Sequence, residues 1–586
     1  MFNQAIVRDA KRSRWLRFAR CVDSVSCRDI SAIADLLAEV ERRCQEESLH
    51  AVGYVSYEAA PAFDASLPSQ ATQLPLIGFA LFRAPEVLDT APLPGVEAAS
   101  QHSEWRLGES QESFQHKVES VRSLIAEGAV YQINLTSRLS QSGVLTESDF
   151  FRIAEGMPYA TFLSGPEVAI ASASPELFFE RVDGRLVSRP MKGTVRRGTN
   201  QAADSMAKAW LECSEKNRAE NVMITDMVRN DISRVASKNR VIVDELCAVE
   251  AFPSVWQMIS TVSSDTSSSL ADIFRALFPA ASITGAPKRA AMEAIKSLED
   301  QPRELYTGAI GHIEPSGNAV FNVAIRTAWI DKLAKRSVFG AGCGIVWDSD
   351  PYDEYVELIA KTQILKRPSA VFHLFETMLL EASGSFQLMT EHLDRLEGSA
   401  EFLGFAFDRS EAHITLADLA ADTQGPKRVR LQLDRDGRLS HQVKSLADTL
   451  LARSDFVRIA IAETPVDSGD MFVCHKTSHR TVYDRAVAEV PMGTEPLLVN
   501  ELGHITESAI ANVVYEIGGQ LFTPPLSDGL LPGVLRGVLI REGKIIERSL
   551  SVTELGDVTG WWLVNALRGW REAKLASATL PDLQLA

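Results

Sequence analysis

A chain of 586 residues is too long for one hydrophobic core, so two to four domains are expected. With 45% hydrophobic and 23% charged residues, mean hydropathy near zero and a net charge of −17 without a basic block, the composition argues against nucleic acid or an anionic membrane as partner. The seven scattered cysteines lack C-x-x-C spacing, no apolar run reaches a membrane span, and the opening residues lack a signal-peptide core, so a reducing cytoplasm is the expected compartment.

In chain order, the spacing of Ile30, Ile33, Leu36, Leu37 and Val40 predicts a helix over 30–44. Gly53 to Tyr57 and Pro75 to Phe82 read as strands, and Pro85 to Ser103 as a surface connection rich in Pro, Ala, Gly and Ser. Phe114 to Gly128 reads as an amphipathic helix, followed by a strand over Val130 to Thr136. Val168 to Val182 reads as one strand, Asp183-Gly184 as a hairpin turn and Arg185 to Pro190 as the returning strand. That strand runs into a glycine loop that turns sharply around Lys192. Helices are expected over Glu215 to Val235, Arg289 to Leu298 and Asp353 to Leu365. Lys366-Arg367-Pro368-Ser369 breaks the last of these, and a fresh strand follows over Val371 to Phe375. The main boundary is therefore placed near residue 368, between domains 1–367 and 371–586, in an α/β or α+β chain.

A lysine fixed in a turn and desolvated is a usable nucleophile. Glu176 lies opposite Met191 if the hairpin turn has two residues, or opposite Lys192 if it has three. Either register brings carboxylate and ammonium together, which suits a reaction where one group adds while another leaves protonated. The same spacing fits a cross-strand salt bridge. Glu220 sits on a helix beside an apolar stripe, while Glu354 and Glu357 share a helix face with Lys361 one turn on. Separated carboxylates converging on one cavity would suit Mg2+, and solvated helix charges would show the same pattern. Ser282 to Lys288 leads into a helix and aims N–H groups forward as an anion cradle. Gly340 to Val346 is a glycine-rich strand that either admits a ligand to the backbone or marks bulges. Arg326, read within a strand over Asn322 to Thr327, is able to clamp a carboxylate.

Ser174-Pro175-Glu176-Leu177-Phe178, Pro190-Met191-Lys192-Gly193-Thr194, Ala219-Glu220-Asn221-Val222-Met223-Ile224, Arg229-Asn230-Asp231, Thr284-Gly285-Ala286-Pro287-Lys288 and Gly344-Ile345-Val346 through Glu357 occur in one order. Over about residues 50–366 this resembles the chorismate-binding enzyme family, which includes anthranilate, aminodeoxychorismate, isochorismate and salicylate synthases. The resemblance implies an α/β sandwich of antiparallel sheets with the site in a cleft. It implies Mg2+ on Glu220 and Glu357, and substrate contacts from Thr194, Thr284, Arg326, Lys361 and the backbone of Gly344, Ile345 and Val346. Glu176 matches the general acid that protonates the departing 4-hydroxyl of chorismate. Lysine at 192 resembles the aminodeoxychorismate branch, where anthranilate synthases usually carry alanine. It implies addition of Lys192 at C2 as the hydroxyl leaves, then entry of ammonia at C4 and expulsion of the lysine. Ala281 and Asn217 depart from the family pattern. No G-x-C-x-G glutaminase elbow accompanies these motifs, so a separate glutamine amidotransferase subunit is the expected ammonia source.

Farther on, Phe372-His373-Leu374-Phe375-Glu376-Thr377, His392 to Ala400, His475-Lys476-Thr477-Ser478-His479-Arg480, Asn500 to Ser508 before Asn512, and Gly529 to Arg536 follow one another. Over about 371–575 they resemble the class IV, D-amino-acid-aminotransferase-like family, which implies a two-subdomain fold and a tendency to homodimers. The resemblance implies that Lys476 carries pyridoxal 5'-phosphate as a Schiff base and that Glu507 pairs with its pyridinium nitrogen. Arg395 and the N–H groups of Val534 and Leu535 would hold the phosphate. Asn565 to Trp570 resembles the lyase-like members. The motifs alone do not separate lyase from transaminase, but the fusion does, because an aminated chorismate is what a lyase would convert to 4-aminobenzoate. The expected activity is amination of chorismate to 4-amino-4-deoxychorismate, then elimination of pyruvate. The rivals are an anthranilate synthase fused to a transaminase, against which Lys192 argues, and a non-catalytic C-terminal scaffold, against which Lys476 and Glu507 argue.

Overall fold

The computed structural model describes residues 2–88, 105–198, 201–237, 240–252, 255–366, 372–422, 425–446 and 456–576. Most of the connection expected over 85–103 and the boundary near 368 lie outside them. The chain forms two compact units, Met1–Arg196 with Ala207–Ser369, and Arg197–Met206 with Ala370–Ala586. The segment Arg197–Met206 thus groups with the second unit, where a contiguous 1–367 domain was expected.

The first unit carries two ten-stranded sheets in which every pairing is antiparallel. One sheet centres on Gln132–Ser142, Arg336–Ile345, Thr327–Asp331 and Val168–Ser174; the other on Val255–Asp265, Arg185–Arg189, Leu177–Val182 and Ala319–Val323. Phe18, Leu163, Ile170 and Trp329 from the first sheet pack with Val52, Tyr54, Phe82 and Ile310 from the second in one buried cluster. Alternation along each strand sends one set of side chains into that layer, the driving force for stacking sheets. The predicted helices appear as Ile33–Glu46, Gln111–Ala126, Glu215–Ser233, Lys288–Leu298 and Pro351–Thr362. The first buries Ile33, Leu37, Val40 and Cys44, whereas Ile30 lies in a preceding 3-10 turn and is exposed.

Four local readings are corrected. Val168 to Val182 is two strands: Val168–Ser174 pairs in one sheet and Leu177–Val182 in the other, with Pro175 and Glu176 at the crossing. A proline lacks the N–H that a continuous ladder would need, so the chain changes sheets there. The hairpin turn has two residues, since Val182 faces Arg185, but a bulge between Leu177 and Glu180 leaves Leu177 opposite Arg189. That register leaves Glu176 level with Pro190, short of both partners foreseen for it. Lys192 sits in the strand Met191–Arg196, which bulges between Met191 and Thr194 against its neighbour, and not in a sharp turn. Arg326, likewise, lies outside the strands, at φ 50° between Ala319–Val323 and Thr327–Asp331, where the chain again changes sheets.

The second unit has a three-stranded antiparallel sheet, Leu374–Leu380, Lys427–Leu433 and Leu439–Ser445, packed on helices Met389–Leu403 and Arg409–Asp422 through Leu393, Leu396, Leu416 and Leu431. It also has an eight-stranded mixed sheet, in which the pairing Glu507↔Asn512 closes six strands into a ring. The strand expected at 371–375 begins at Leu374. Among the described residues no helix is long and apolar enough to cross a membrane.

Candidate functional site

The bulged strand bearing Lys192 is held by the helix Glu215–Ser233. Buried Asn221 on that helix donates to the carbonyls of Lys192 and Met258 at 3.3 and 3.1 Å, while its Oδ1 accepts from Ser260 and Thr225. A side-chain amide that meets four partners in a dry interior fixes the strand to the helix. Glu220, one residue earlier, is thereby brought to the same region as Lys192.

The lysine reaches across to the other sheet. A Cβ on Gly344 would lie 3.0 Å from Lys192 Nζ and 2.8 Å from Gln132 Nε2, so any side chain there would shift the ends of both. Gln132 is buried and its Oε1 has no hydrogen-bond partner. Burial and the Lys361 ammonium lower the pKa of Lys192, against the opposing pull of Glu220, Glu176 and Glu357. Those four groups, two of them from the helix Pro351–Thr362, therefore act on one nitrogen.

Glu176 is buried at the sheet crossing. Its Oε1 accepts from Ser282 Oγ at 2.7 Å, its carboxylate also receives the Met191 N–H, and burial outweighs these to push its pKa up to about 7. A small cavity beside it is lined by Phe178, Pro190, Leu277, Ala281 and Ser282. Lysine lowered and carboxyl raised is the pairing that a nucleophile and a general acid require at neutral pH.

Glu357 bonds Lys361 at 2.7 Å, and Lys361 also donates to the Gly342 carbonyl at 2.9 Å. Burial works against the Lys361 charge, but the Cys343 sulfur and the Glu357 carboxylate hold its pKa above that of an ordinary lysine. Burial likewise opposes the Glu357 charge, and Lys361, Lys192 and Lys216 win, keeping it lowered. Cys343, Glu354 and Glu357 form the one compact group of ligand-type atoms among the described residues, and it does not include Glu220. Burial pushes the Cys343 thiol up to about 12, so this trio offers no thiolate, and a thiol does not suit a hard cation. Glu354 accepts from Ser349 at 2.6 Å.

Other expected contacts are partly spent inside the protein. The Thr284 hydroxyl donates to the Ala280 carbonyl, and exposed Thr194 donates to Gln257 at 2.8 Å. The Val346 N–H goes to Ser349 Oγ at 3.1 Å, and Ile345 pairs with Ile133, so of that backbone stretch Gly344 has the most direct place at Lys192. Arg326 points Nη1 toward Met157 Sδ at 3.4 Å. The expected anion cradle differs too: Lys288 and Asp231, members of two separate motifs, pair at 3.3 Å. Ser282 and Asn221 carried no expected role, although both lay within quoted motifs, which was the available signal.

In the second unit, Lys476 lies on a segment bonded to the strand Leu374–Leu380, with Phe375 N donating to the Lys476 carbonyl at 3.1 Å. Its Nζ stands 4.9 Å from the Phe375 ring centre. Burial and the charges of Arg395 and Arg480 lower its pKa to about 8, Glu376 and Glu507 resisting. Glu507, buried, accepts from Tyr483 Oη at 2.7 Å, Asn512 Nδ2 at 3.2 Å and Leu531 N at 3.1 Å, yet burial still pushes it up to about 7. Arg395 grips Glu376 through Nε and Nη2 at 2.8 and 2.6 Å and donates Nη1 to the Pro532 carbonyl at 3.1 Å. Two of its five N–H bonds are left over. The helix Val534–Arg541 begins at Gly533 without a side-chain cap, and a Cβ on Gly533 would collide with Asn512 Oδ1. Tyr483 lay outside every quoted motif, whereas Glu376 lay within one without an assigned role.

The chorismate binding enzyme family matches residues 5–367, and the amino-transferase class IV family matches residues 373–575. Aminodeoxychorismate synthase component 1 of Klebsiella aerogenes is 38% identical over 281 residues, 47% of this chain and 61% of that protein. Anthranilate synthase component 1 of Aquifex aeolicus is 33% identical over 278 residues, 46% of this chain and 56% of that protein. The chain thus spans roughly three fifths of the length of these curated relatives. The crystal structure of anthranilate synthase component I from Streptococcus pneumoniae superposes with a TM-score of 0.51 at 25% identity, covering 63% of this chain and 91% of that one. With more than half of its length matched and its motif residues converging on Lys192, the chain belongs to the chorismate-binding enzyme family.

Proposed function

We propose that the first unit aminates chorismate to 4-amino-4-deoxychorismate and that the second eliminates pyruvate from it to give 4-aminobenzoate. The observation that carries the reading is Lys192, a buried lysine of lowered pKa that interacts electrostatically with an acid of raised pKa, Glu176. Neutral Lys192 Nζ adds at C2 while the C4–O bond breaks and Glu176 gives the departing hydroxyl its proton. Ammonia then forms the C4–N bond and Lys192 is expelled, so chorismate and ammonia become the amine and water. Alanine at this position would leave no internal nucleophile, which is why the anthranilate reading is disfavoured. The two antiparallel sheets are, on this reading, the family's α/β sandwich.

Mg2+ fits the oxygens of Glu220 and Glu357, which both act on Lys192, better than the thiol-containing trio at Cys343. Bound there it would neutralise the ring carboxylate. Lys361 and Arg326 would contact the carboxylates of chorismate. Ammonia would come from a separate glutamine amidotransferase, in keeping with relatives called component 1.

The second unit fits pyridoxal 5'-phosphate. Lys476 would hold its aldehyde carbon, Glu507 its ring nitrogen, and Arg395 with the Val534 and Leu535 N–H groups its phosphate. The cofactor supplies an electron sink when bound. Burial is what raises the Glu507 pKa, so a pyridinium nitrogen held against it would favour its carboxylate form. Lys476, partly neutral near pH 8, would take the C4 proton of the amine; the ether C–O bond then breaks and the ring aromatises. A homodimer through this unit and a cytoplasmic setting complete the proposal.

The test is to incubate the purified chain with chorismate, ammonium, Mg2+ and pyridoxal phosphate. Formation of 4-aminobenzoate with pyruvate is expected, and 2-aminobenzoate without the para isomer would overturn the reading.

A further inference from the structure

Each turnover proposed for the first unit consumes one proton inside it. Glu176 gives its proton to the departing hydroxyl and is left a carboxylate, whereas Lys192 begins and ends as a neutral amine. The entering ammonia keeps its three hydrogens on C4. Chorismate, NH3 and H+ therefore go in, and an ammonium product and water come out. Glu176 is buried, so the proton that resets it has to arrive through neighbouring groups.

The cavity beside Glu176 measures about 20 Å³, room for one water. Among the described residues, the charged groups that line it are Glu176 itself and Asp231, from the helix Glu215–Ser233. Ser282 lines it too, and its hydroxyl donates to Glu176 Oε1 at 2.7 Å, the direction in which a proton would be delivered. Buried Asp231 connects outward. Its Oδ2 accepts from Lys288 Nζ at 3.3 Å, and its Oδ1 pairs with exposed Arg234 at 3.4 Å. Lys288 also donates to the Leu277 carbonyl at 3.3 Å, at the end of the helix Leu270–Leu277. Burial lowers the Lys288 pKa against the pull of Asp231, so its ammonium yields a proton more readily than that of an exposed lysine. A buried ion pair adds little net stability over apolar packing, and tying two helices together needs no opening onto an acid. This pair has that opening.

We propose that Asp231 and Lys288 form the proton inlet of the first unit, resetting Glu176 after each turnover through a water in the cavity and the Ser282 hydroxyl. The inference rests on the acid role proposed for Glu176. A proton passes from Lys288 Nζ to the Asp231 carboxylate and from there to the water. The water protonates Ser282 Oγ as the hydroxyl proton moves to Glu176 Oε1, and Lys288 regains a proton from solvent. Each bond to hydrogen that breaks is matched by one that forms, so no further reactant is consumed. Asp231 and Lys288 act through Glu176 and do not touch chorismate.

The test mixes the full chain with chorismate, ammonium and Mg2+ by rapid quench and follows chorismate loss through first and later turnovers. In Asp231→Asn the first turnover, which uses the proton already on Glu176, should keep its rate. Later turnovers should slow about a hundredfold, the lower end of what a positioned proton donor contributes. That later phase alone should slow further in deuterium oxide, and Asp231→Glu should restore part of the rate. Val228→Ile, which adds a methylene at the cavity wall and leaves the ion pair in place, should show the same split even if Asp231→Asn does not fold. First and later turnovers slowed alike, or neither slowed, would overturn the inlet. A split between them with 2-aminobenzoate as the product would keep the inlet and refute the para-amination reading instead.

Discussion

Glu176→Gln tests the acid assignment through stability as well as rate. Glutamine keeps the shape and an acceptor oxygen for Ser282, but it neither ionises nor gives up a proton. The carboxyl's pKa rises from 4.5 to about 7 on burial, so its folded form prefers to be protonated. Such a group costs nothing below the unfolded pKa; stability is lost as pH climbs from 4.5 to about 7 and stays lost above it. At about 1.4 kcal/mol per pH unit, the penalty at pH 8 is up to about 3 kcal/mol. The glutamine variant should therefore match the parent near pH 4.5 and exceed it at pH 8, read as urea midpoints of the whole chain at both pH values. Chorismate consumption should fall roughly 10²- to 10⁴-fold, the usual worth of a general acid. A variant no more stable than the parent at pH 8, or one that retains full turnover, would refute the assignment.

Gly344→Ala should cut chorismate amination by well over tenfold while leaving elimination from supplied aminodeoxychorismate intact, because the added methyl meets two mobile side-chain ends, Lys192 Nζ and Gln132 Nε2, and displaces the lysine. Equal loss of both activities would contradict separate sites. Capture of pyridoxal phosphate by borohydride should be absent in Lys476→Ala; in the parent its rate should rise with pH through about 8, since only neutral lysine attacks an aldehyde. Arg395→Gln removes a charge that lowers the Lys476 pKa, so that midpoint should move to higher pH, and a downward move would refute the electrostatic account. Asn221→Ala, which orphans the Lys192 and Met258 carbonyls, should lower kcat for chorismate more than it raises KM, and Asn221→Gln should not rescue it; a pure KM effect would point away from positioning.

The residues that distinguish this chain were legible because they carry rare chemistry at fixed spacing. A lysine between proline and glycine, a glutamate after Ser-Pro and glycines around Cys343 are local facts, and the order of such motifs needs no coordinates. Helix positions, though not their exact limits, were readable for a similar reason: apolar periodicity acts within one or two turns. Register was not. The bulge at Leu177 to Glu180 and the change of sheet at Pro175 depend on partners more than a hundred residues away, Asn322 and Trp329 among them.

What sequence alone determined is the inventory: Lys192, Glu176, Glu220 and Glu357 in one half, Lys476, Glu507 and Arg395 in the other. Which of these groups meet was decided by tertiary structure. Lys192 and Gly344 belong to different sheets and become neighbours only when those sheets stack, and the opposed pKa movements of Lys192 and Glu176 arise from that burial. The pairing of Lys288 with Asp231 and the hold of Glu376 on Arg395 are likewise products of packing. Motif residues advertise chemistry through their type, whereas desolvation and charge balance are properties of the surroundings, which long-range contacts alone supply.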